Sequence, residues 1–248
     1  MSVPVFYAPP DTRRDTLITL PAQEAHHAIA VMRLDVGARV MIVDGCGMGY
    51  RAEIISASKK SVEARIISEV RNFGEPTVRL TFAGGLSAGV KFDTVVEKGT
   101  ELGVQRFVPV ISEKSKVKLD DPRRALARRN RLEKVALAAM KQCRRSYRPE
   151  IATPLTLRQF LDESDRDDVN LAFVPGNTSV PLESIKFDGQ IGRVTILVGP
   201  ESGFSEPEIE KISSAGFNSI SLGPRILRTE TAGPVAIALV MHALGELK

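Results

Sequence analysis

Tryptophan is absent from this chain of 248 residues, tyrosine occurs three times and cysteine twice. Cys46 and Cys143 are too few for a disulfide framework and form no CxxC pair, so a reduced, cytoplasmic setting is expected. With so few large aromatics, stacking on nucleic-acid bases would have to rely on Phe, His or Arg. The amino terminus lacks a basic stretch followed by an apolar run, so no signal peptide is expected. The longest uninterrupted apolar run, near Val235 to Val240, falls far short of the ~20 residues a membrane helix needs. His26, His27 and His242 are not spaced as a ligand set, and no metal is expected. His242 lies in an apolar helix and reads as a core or interface residue. The dinucleotide fingerprint G-x-G-x-x-G and the phosphate loop G-x-x-x-x-G-K-[ST] are both missing. A nucleophile elbow is missing too, because Gly199-Pro200-Glu201-Ser202-Gly203 carries Glu where the elbow has its Ser.

What the chain does have is a globular composition, 43% hydrophobic and 26% charged, and an uneven charge. The net charge is +4, yet Lys114 to Arg148 holds thirteen Lys/Arg against three Asp/Glu, a local +10 that leaves −6 (4 − 10) elsewhere. Like charges gathered this densely repel one another, and a polyanion such as RNA relieves the repulsion. An exposed basic helix with no partner is the competing reading.

The first seventy or so residues read as short strands: Pro4–Tyr7, Thr16–Leu20, Ala38–Val43, Tyr50–Ser56 and the alternation Val62, Ala64, Ile66. One helix, Ala22 to Leu34, interrupts them. Several strands with one helix suggest a small, partly closed β-barrel of the kind that binds nucleic acid. Arg71-Asn72-Phe73-Gly74-Glu75-Pro76 marks a boundary, giving domains 1–72 and 73–248. Beyond it strands alternate with helices, the signature of an α/β domain. Strands fall at Val78–Ala83, Arg106–Ile111, Asn170–Val174, Val194–Val198 and Ser219–Leu222. Helices fall near Phe92–Gly103, Arg123–Cys143, Glu206–Ala215 and Pro234–Leu247, the last apolar on more than one face. Ser205 and Glu208 form a capping box, with Pro207 in the first turn.

Two loops follow strands and carry the candidate chemistry. One runs Leu197-Val198-Gly199-Pro200-Glu201-Ser202-Gly203-Phe204, the other Leu222-Gly223-Pro224-Arg225-Ile226-Leu227-Arg228-Thr229-Glu230-Thr231-Ala232. Ligands in α/β domains bind outside the carboxyl ends of strands, and glycines let the backbone approach them closely. Two tight turns that merely use Gly and Pro would look the same.

These loops resemble the paired motifs of the 16S ribosomal RNA uracil-N3 methyltransferase family, within the SPOUT superfamily of trefoil-knotted methyltransferases. The likeness continues through Lys98-Gly99-x-Glu101-Leu102-Gly103, through Gln142-Cys143-x-Arg145 with Pro149, and through His27-x-x-x-Val31-Met32-Arg33, so it spans nearly the whole chain in order. Three positions depart from the family pattern: Lys141 where an acid is common, Val5 where a basic residue precedes the aromatic pair, and Ser202 where a second Gly is usual. The resemblance implies a SPOUT-like knotted parallel sheet behind a PUA-like barrel, a homodimer, and S-adenosyl-L-methionine as cofactor. It implies methylation of a uridine at N3 in 16S rRNA of the small ribosomal subunit. Leu197, Gly199, Pro200, Glu201, Gly203, Leu222, Gly223, Ile226 and Leu227 would line the cofactor. Arg228 would stabilise the target base or the cofactor's carboxylate, with Glu230 as base or arginine partner, though a carboxylate favoured by the helix dipole explains Glu230 equally well. His27, Arg33, Arg144, Arg145 and Arg148 would contact RNA, though packing under the barrel helix explains His27 equally well. A related knotted enzyme acting at another RNA site, and a non-catalytic RNA-binding or ribosome-assembly protein, both stay open at this point.

Overall fold

The computed structural model describes residues 3–58, 61–86, 89–115, 121–163, 167–176, 179–187 and 189–247. Its elements in chain order are β1 (Val5–Tyr7), β2 (Arg13–Arg14), β3 (Leu17–Thr19), α1 (Ala22–His26), β4 (Arg39–Val43), β5 (Met48–Ala57), β6 (Val62–Arg71), β7 (Arg79–Gly85), α2 (Lys91–Glu101), β8 (Arg106–Ile111), α3 (Pro122–Cys143), β9 (Glu150–Ile151), β10 (Leu155–Thr156), α4 (Leu157–Glu163), β11 (Val169–Phe173), β12 (Val180–Pro181), β13 (Arg193–Val198), α5 (Glu206–Ser214), β14 (Asn218–Ser221) and α6 (Thr229–Ala243). They form two compact units: 1–75 with 137–148, and 76–136 with 149–248.

In the first unit six strands run in the order β1-β4-β5-β6-β3-β2, antiparallel except for the β1–β4 pair. Alternation puts Val62 and Ala64 of β6 inward, where they meet Phe6, Ile18, Ile42 and Ile54 in one core. Strands from both ends of the order feed that core, so the sheet is strongly coiled. The helix expected over 22–34 is shorter: α1 stops at His26 and a π-helical turn, His27–Val31, follows. Arg33 then takes a left-handed conformation, φ 54°, which no regular helix allows. A second segment, Leu137 to Arg148, belongs to this unit, with Met140 packed on Met41 and Val43. Lys141, an outlier from the family pattern, pairs at 2.5 Å with Glu24 of α1, whose side chain is 10% exposed.

The second unit is built on one parallel sheet, ordered β10-β8-β7-β13-β11-β14-β12, with β9 also paired to β8. Its central strands read as continuous apolar runs because both faces are covered. Phe82 and Ile196 point into a core shared with α2 and α6, while their neighbours Ala83 and Leu197 point into a core shared with α4 and α5. A parallel sheet aligns all its strand ends, so Gly85, Phe173, Val198 and Ser221 finish on one edge. Helix α6 begins at Thr229 rather than at the expected Pro234, which sits inside it. No helix among the described residues is long and apolar enough to cross a membrane.

Candidate active site

At that carboxyl edge the two glycine-rich loops line a single cavity of about 290 Å³. Gly199, Pro200, Glu201, Gly203, Leu222, Gly223, Ile226 and Leu227 all face it. Leu197, expected among them, does not: it is fully buried in β13 and packs with Ala83, Val108 and Ile212. The strand's alternation turns its side chain to the α4–α5 face, away from the edge. The sequence reading missed the wall made by the end of β11, Phe173-Val174-Pro175, and Ile220 of β14. Nothing in their local pattern separates them from ordinary strand ends; only the strand order brings them here.

The first loop is tightly fixed. Gly203, at φ +67°, donates its N–H to the Pro200 carbonyl, closing a turn that favours glycine. The capping box at α5 is present, with Glu208 accepting from the Ser205 N–H at 2.9 Å and Ser205 Oγ accepting from the Glu208 N–H. The segment after β8 clamps it from outside. The Glu113 N–H donates to Glu208 Oε1 at 2.8 Å, Ser205 Oγ donates to Glu113, and Lys114 Nζ donates to the Phe204 carbonyl at 3.1 Å. Ser202, where the resembled family usually has Gly, gives its hydroxyl to the Lys114 carbonyl at 2.8 Å. On the other side Lys91 of α2 forms an ion pair with Glu201.

The second loop turns at Gly223, φ +89°, whose N–H donates to Ser221 Oγ. It ends at Arg228, which caps α6 through its carbonyl, accepting from the Thr231 and Ala232 N–H groups. The Arg228 side chain is 82% exposed and its Nη1 lies 4.0 Å from Glu230 Oε1. The other oxygen of Glu230, Oε2, is buried with no hydrogen-bond partner among the described residues. Ile226 is 91% exposed, an apolar side chain held open at the mouth of the cleft. Apolar walls with a few polar groups and many backbone donors and acceptors suit a flat heterocycle carrying a charged tail. Among the described residues there is no group of His, Cys, Asp or Glu able to hold a metal.

The predicted RNA contacts divide. His27 is exposed and meets the buried Phe6 ring edge-on, 6.2 Å between centroids. Arg33, Arg144 and Arg148 are exposed. Arg145 is not available: its guanidinium is 2% exposed and bound to Glu75 at 2.7 Å. The basic segment is also partly neutralised within the chain. Arg128 and Arg131 face Asp93 of α2 at 4.0 and 2.6 Å, and Arg129 pairs with Glu133. Lys116 and Lys118 lie outside the described residues. Arg123, Arg124, Lys134, Arg144 and Arg148 make no ion pair among the described residues. His242, expected in the core or an interface, is exposed in the chain and bonded through Nδ1 to the Leu247 carbonyl.

A small coiled β unit joined to a parallel α/β unit with a glycine-rich cleft at its carboxyl edge defines a class, the RNA methyltransferases with a PUA-type domain. Residues 74–241 match the family model described as RNA methyltransferase domain, and residues 20–67 the RNA methyltransferase PUA domain. The chain belongs to the RNA methyltransferase family, in the branch of ribosomal RNA small subunit methyltransferase E. The Bacillus subtilis protein of that name is 30% identical over 237 residues, covering 90% of this chain and 89% of that protein. The one from Aquifex aeolicus is 30% identical, covering 96% and 99%. Among solved structures, the Neisseria gonorrhoeae ribosomal RNA small subunit methyltransferase E, bound to S-adenosyl methionine, is 30% identical with a TM-score of 0.85, covering 97% of this chain and 98% of that one. A Legionella pneumophila methyltransferase with bound SAM gives a TM-score of 0.86 at 30% identity over 98% of both chains.

Proposed function

We propose that the chain transfers a methyl group from S-adenosylmethionine to N3 of a uridine in 16S rRNA of the small ribosomal subunit, in the cytoplasm and as a homodimer. The observation that carries this reading is the convergence of the two loops on one cavity at the carboxyl edge of a parallel sheet. The cofactor fits that cavity on the chemistry of its lining. Leu222, Ile226 and Leu227 offer apolar surface to a purine, and glycine backbone offers hydrogen bonds. Glu206, also in the lining, is a carboxylate suited to a ligand that carries a sulfonium and an ammonium, while Glu201 there is already paired with Lys91. The segment carrying Gly223 to Ala232 is read as the tucked part of a trefoil knot.

When bound, the cofactor supplies an electrophilic methyl group. The chain's task is then to align uridine N3 with it and to manage the N3 proton. Alignment in a fixed site contributes as much as ~7–11 kcal/mol. Arg228, exposed between the cavity-lining Leu227 and Thr229, stabilises negative charge on the uracil oxygens as the proton leaves. Glu230, with one buried oxygen lacking a hydrogen-bond donor among the described residues, has an acceptor to offer that proton or the Arg228 guanidinium. Arg33, Arg144 and Arg148 hold phosphates, which position RNA without reading its sequence.

The test is methyl transfer from labelled S-adenosylmethionine to small subunits from cells lacking the protein, followed by nucleoside mass spectrometry. The expected product is 3-methyluridine in 16S rRNA. Cofactor binding without incorporation would move the search to other RNAs, and absence of both would leave an RNA-binding protein without catalysis.

A further inference from the structure

We propose that Tyr147 is a stacking platform for an unpaired RNA base, with Arg144 and Arg148 as phosphate contacts beside it. This rests on the RNA reading above and names where a base would be held. Of the three tyrosines, Tyr50 is 5% exposed and Tyr7 half-buried, while Tyr147 is 43% exposed. An open tyrosine ring ordinarily sits on a mobile side chain. Here it rests on Gly47, φ +104°, where a Cβ would stand 3.1 Å from the ring.

The backbone beneath the ring is locked. The N–H of Arg145 donates to Met140 O, that of Ser146 to Phe73 O, that of Tyr147 to Glu75 Oε1 and that of Arg148 to Gly45 O, all within 3.1 Å. Gly47 N–H returns a bond to Ser146 O at 3.1 Å. The buried Arg145–Glu75 pair anchors the segment from inside, and it also neutralises Glu75. Arg144 is held left-handed at φ 64°. The segment buries Arg145 and Ser146 and displays Arg144, Tyr147 and Arg148, all exposed.

A rigid exposed ring loses little conformational freedom on binding, so its contact area converts efficiently into affinity. The two cations in sequence with it select the partner. Asp44, in the adjoining turn, is buried and occupied by the Cys46 and Met48 N–H groups. An exposed π-face with arginines beside it in sequence suits single strands, because every base has a face and every nucleotide a phosphate.

The experiment compares an oligouridylate with an abasic phosphodiester strand of equal length, on the full chain. Tyr147→Ala is expected to weaken oligouridylate binding about tenfold or more and to leave the abasic strand unchanged. Tyr147→Phe keeps the ring and should bind as the unmutated chain does. With 3-fluorotyrosine incorporated, the ¹⁹F resonance lost in Tyr147→Phe should shift on adding oligouridylate, a readout independent of variant stability. Equal loss on both strands, or no loss and no shift, overturns the platform while the RNA reading stands. Failure of the unmutated chain to bind either strand overturns the RNA reading and the platform with it.

Discussion

At the scale of single residues, the two most informative outcomes concern side chains whose type pointed one way and whose position pointed another. Arg145 lies in the densest basic stretch, and its charge reads as a phosphate contact; folding instead buries it against Glu75, seventy residues earlier. No local pattern can announce a partner at that separation. Removing one member of a buried pair leaves the other charge unpaired, a cost of about 3–5 kcal/mol. Glu75→Ala should therefore lower the stability of the chain by that order in denaturant unfolding, whereas Arg123→Ala, on an exposed cation, should change it by under ~0.5 kcal/mol. Arg228 is the reverse case: a loop arginine read from its motif, exposed beside Glu230 and next in sequence to the cavity-lining Leu227 and Thr229 without lining the cavity itself. Arg228→Ala should fold and bind cofactor while losing about a hundredfold in turnover, checked by single-turnover methyl transfer. Near-normal turnover would remove it from the mechanism. Asp168 gives a pH signature. Backbone N–H groups of Arg193 and Gly192 hold its carboxyl below the ordinary value. Its stabilising contribution is complete above the unfolded carboxyl value of about 3.9 and is lost as pH falls through the lower folded value. Asp168→Asn should flatten the acid end of a melting-temperature profile by that contribution.

At the scale of elements, the long periodic segments were legible and the short ones were not. The strands β7, β8, β11 and β13 follow from apolar runs bounded by turns, and the capped start of α5 follows from Ser205 and Glu208. The two-residue strands β9, β10 and β12 carry no periodicity, because two residues cannot show one; they exist through pairing with β8 and β14. The start of α6 was misplaced because proline usually opens a helix. Pro234 is instead its sixth residue, where the missing N–H leaves only the Glu230 carbonyl without its helical donor. The candidate cleft was legible as two loops, yet its third wall was not, since the strand order that places β11 beside β13 is a property of the whole sheet. Gly85 belongs to this scale. At the end of β7 it lies so close to the first loop that a Cβ there would overlap the Pro200 backbone nitrogen. Backbone cannot yield as a flexible side chain does. Gly85→Ala should displace the loop and weaken S-adenosylmethionine binding at least tenfold by calorimetry, while Gly89→Ala, with nothing within 4 Å but a left-handed φ of +72°, should leave affinity unchanged and cost only stability.

At the scale of the whole molecule, strand–helix alternation announced an α/β domain and the charge distribution a basic stretch, and the sequence boundary near residue 72 divides the chain as a line does. The structure divides it as a loop does, with 137–148 belonging to the first unit although its neighbours on both sides belong to the second. A single boundary drawn along the sequence cannot represent such a return. The apolar surface of α6 raises the remaining question at this scale. Ala236, Ile237, Val240 and Met241 are consumed by the core, but Leu239 stays 42% exposed. Water on such a side chain is unfavourable by roughly 25 cal/mol per Å² of apolar area, and a second copy of the chain is the occupant proposed. Sedimentation at micromolar concentration should then give twice the 27.0 kDa chain mass, and Leu239→Glu should shift it toward the monomer with unchanged circular dichroism. If the unmutated chain sediments as a monomer and still binds cofactor, the cleft is complete within one chain and Leu239 needs no partner. If Leu239→Glu dissociates the dimer and cofactor binding falls with it, the partner copy is part of what holds the cleft closed.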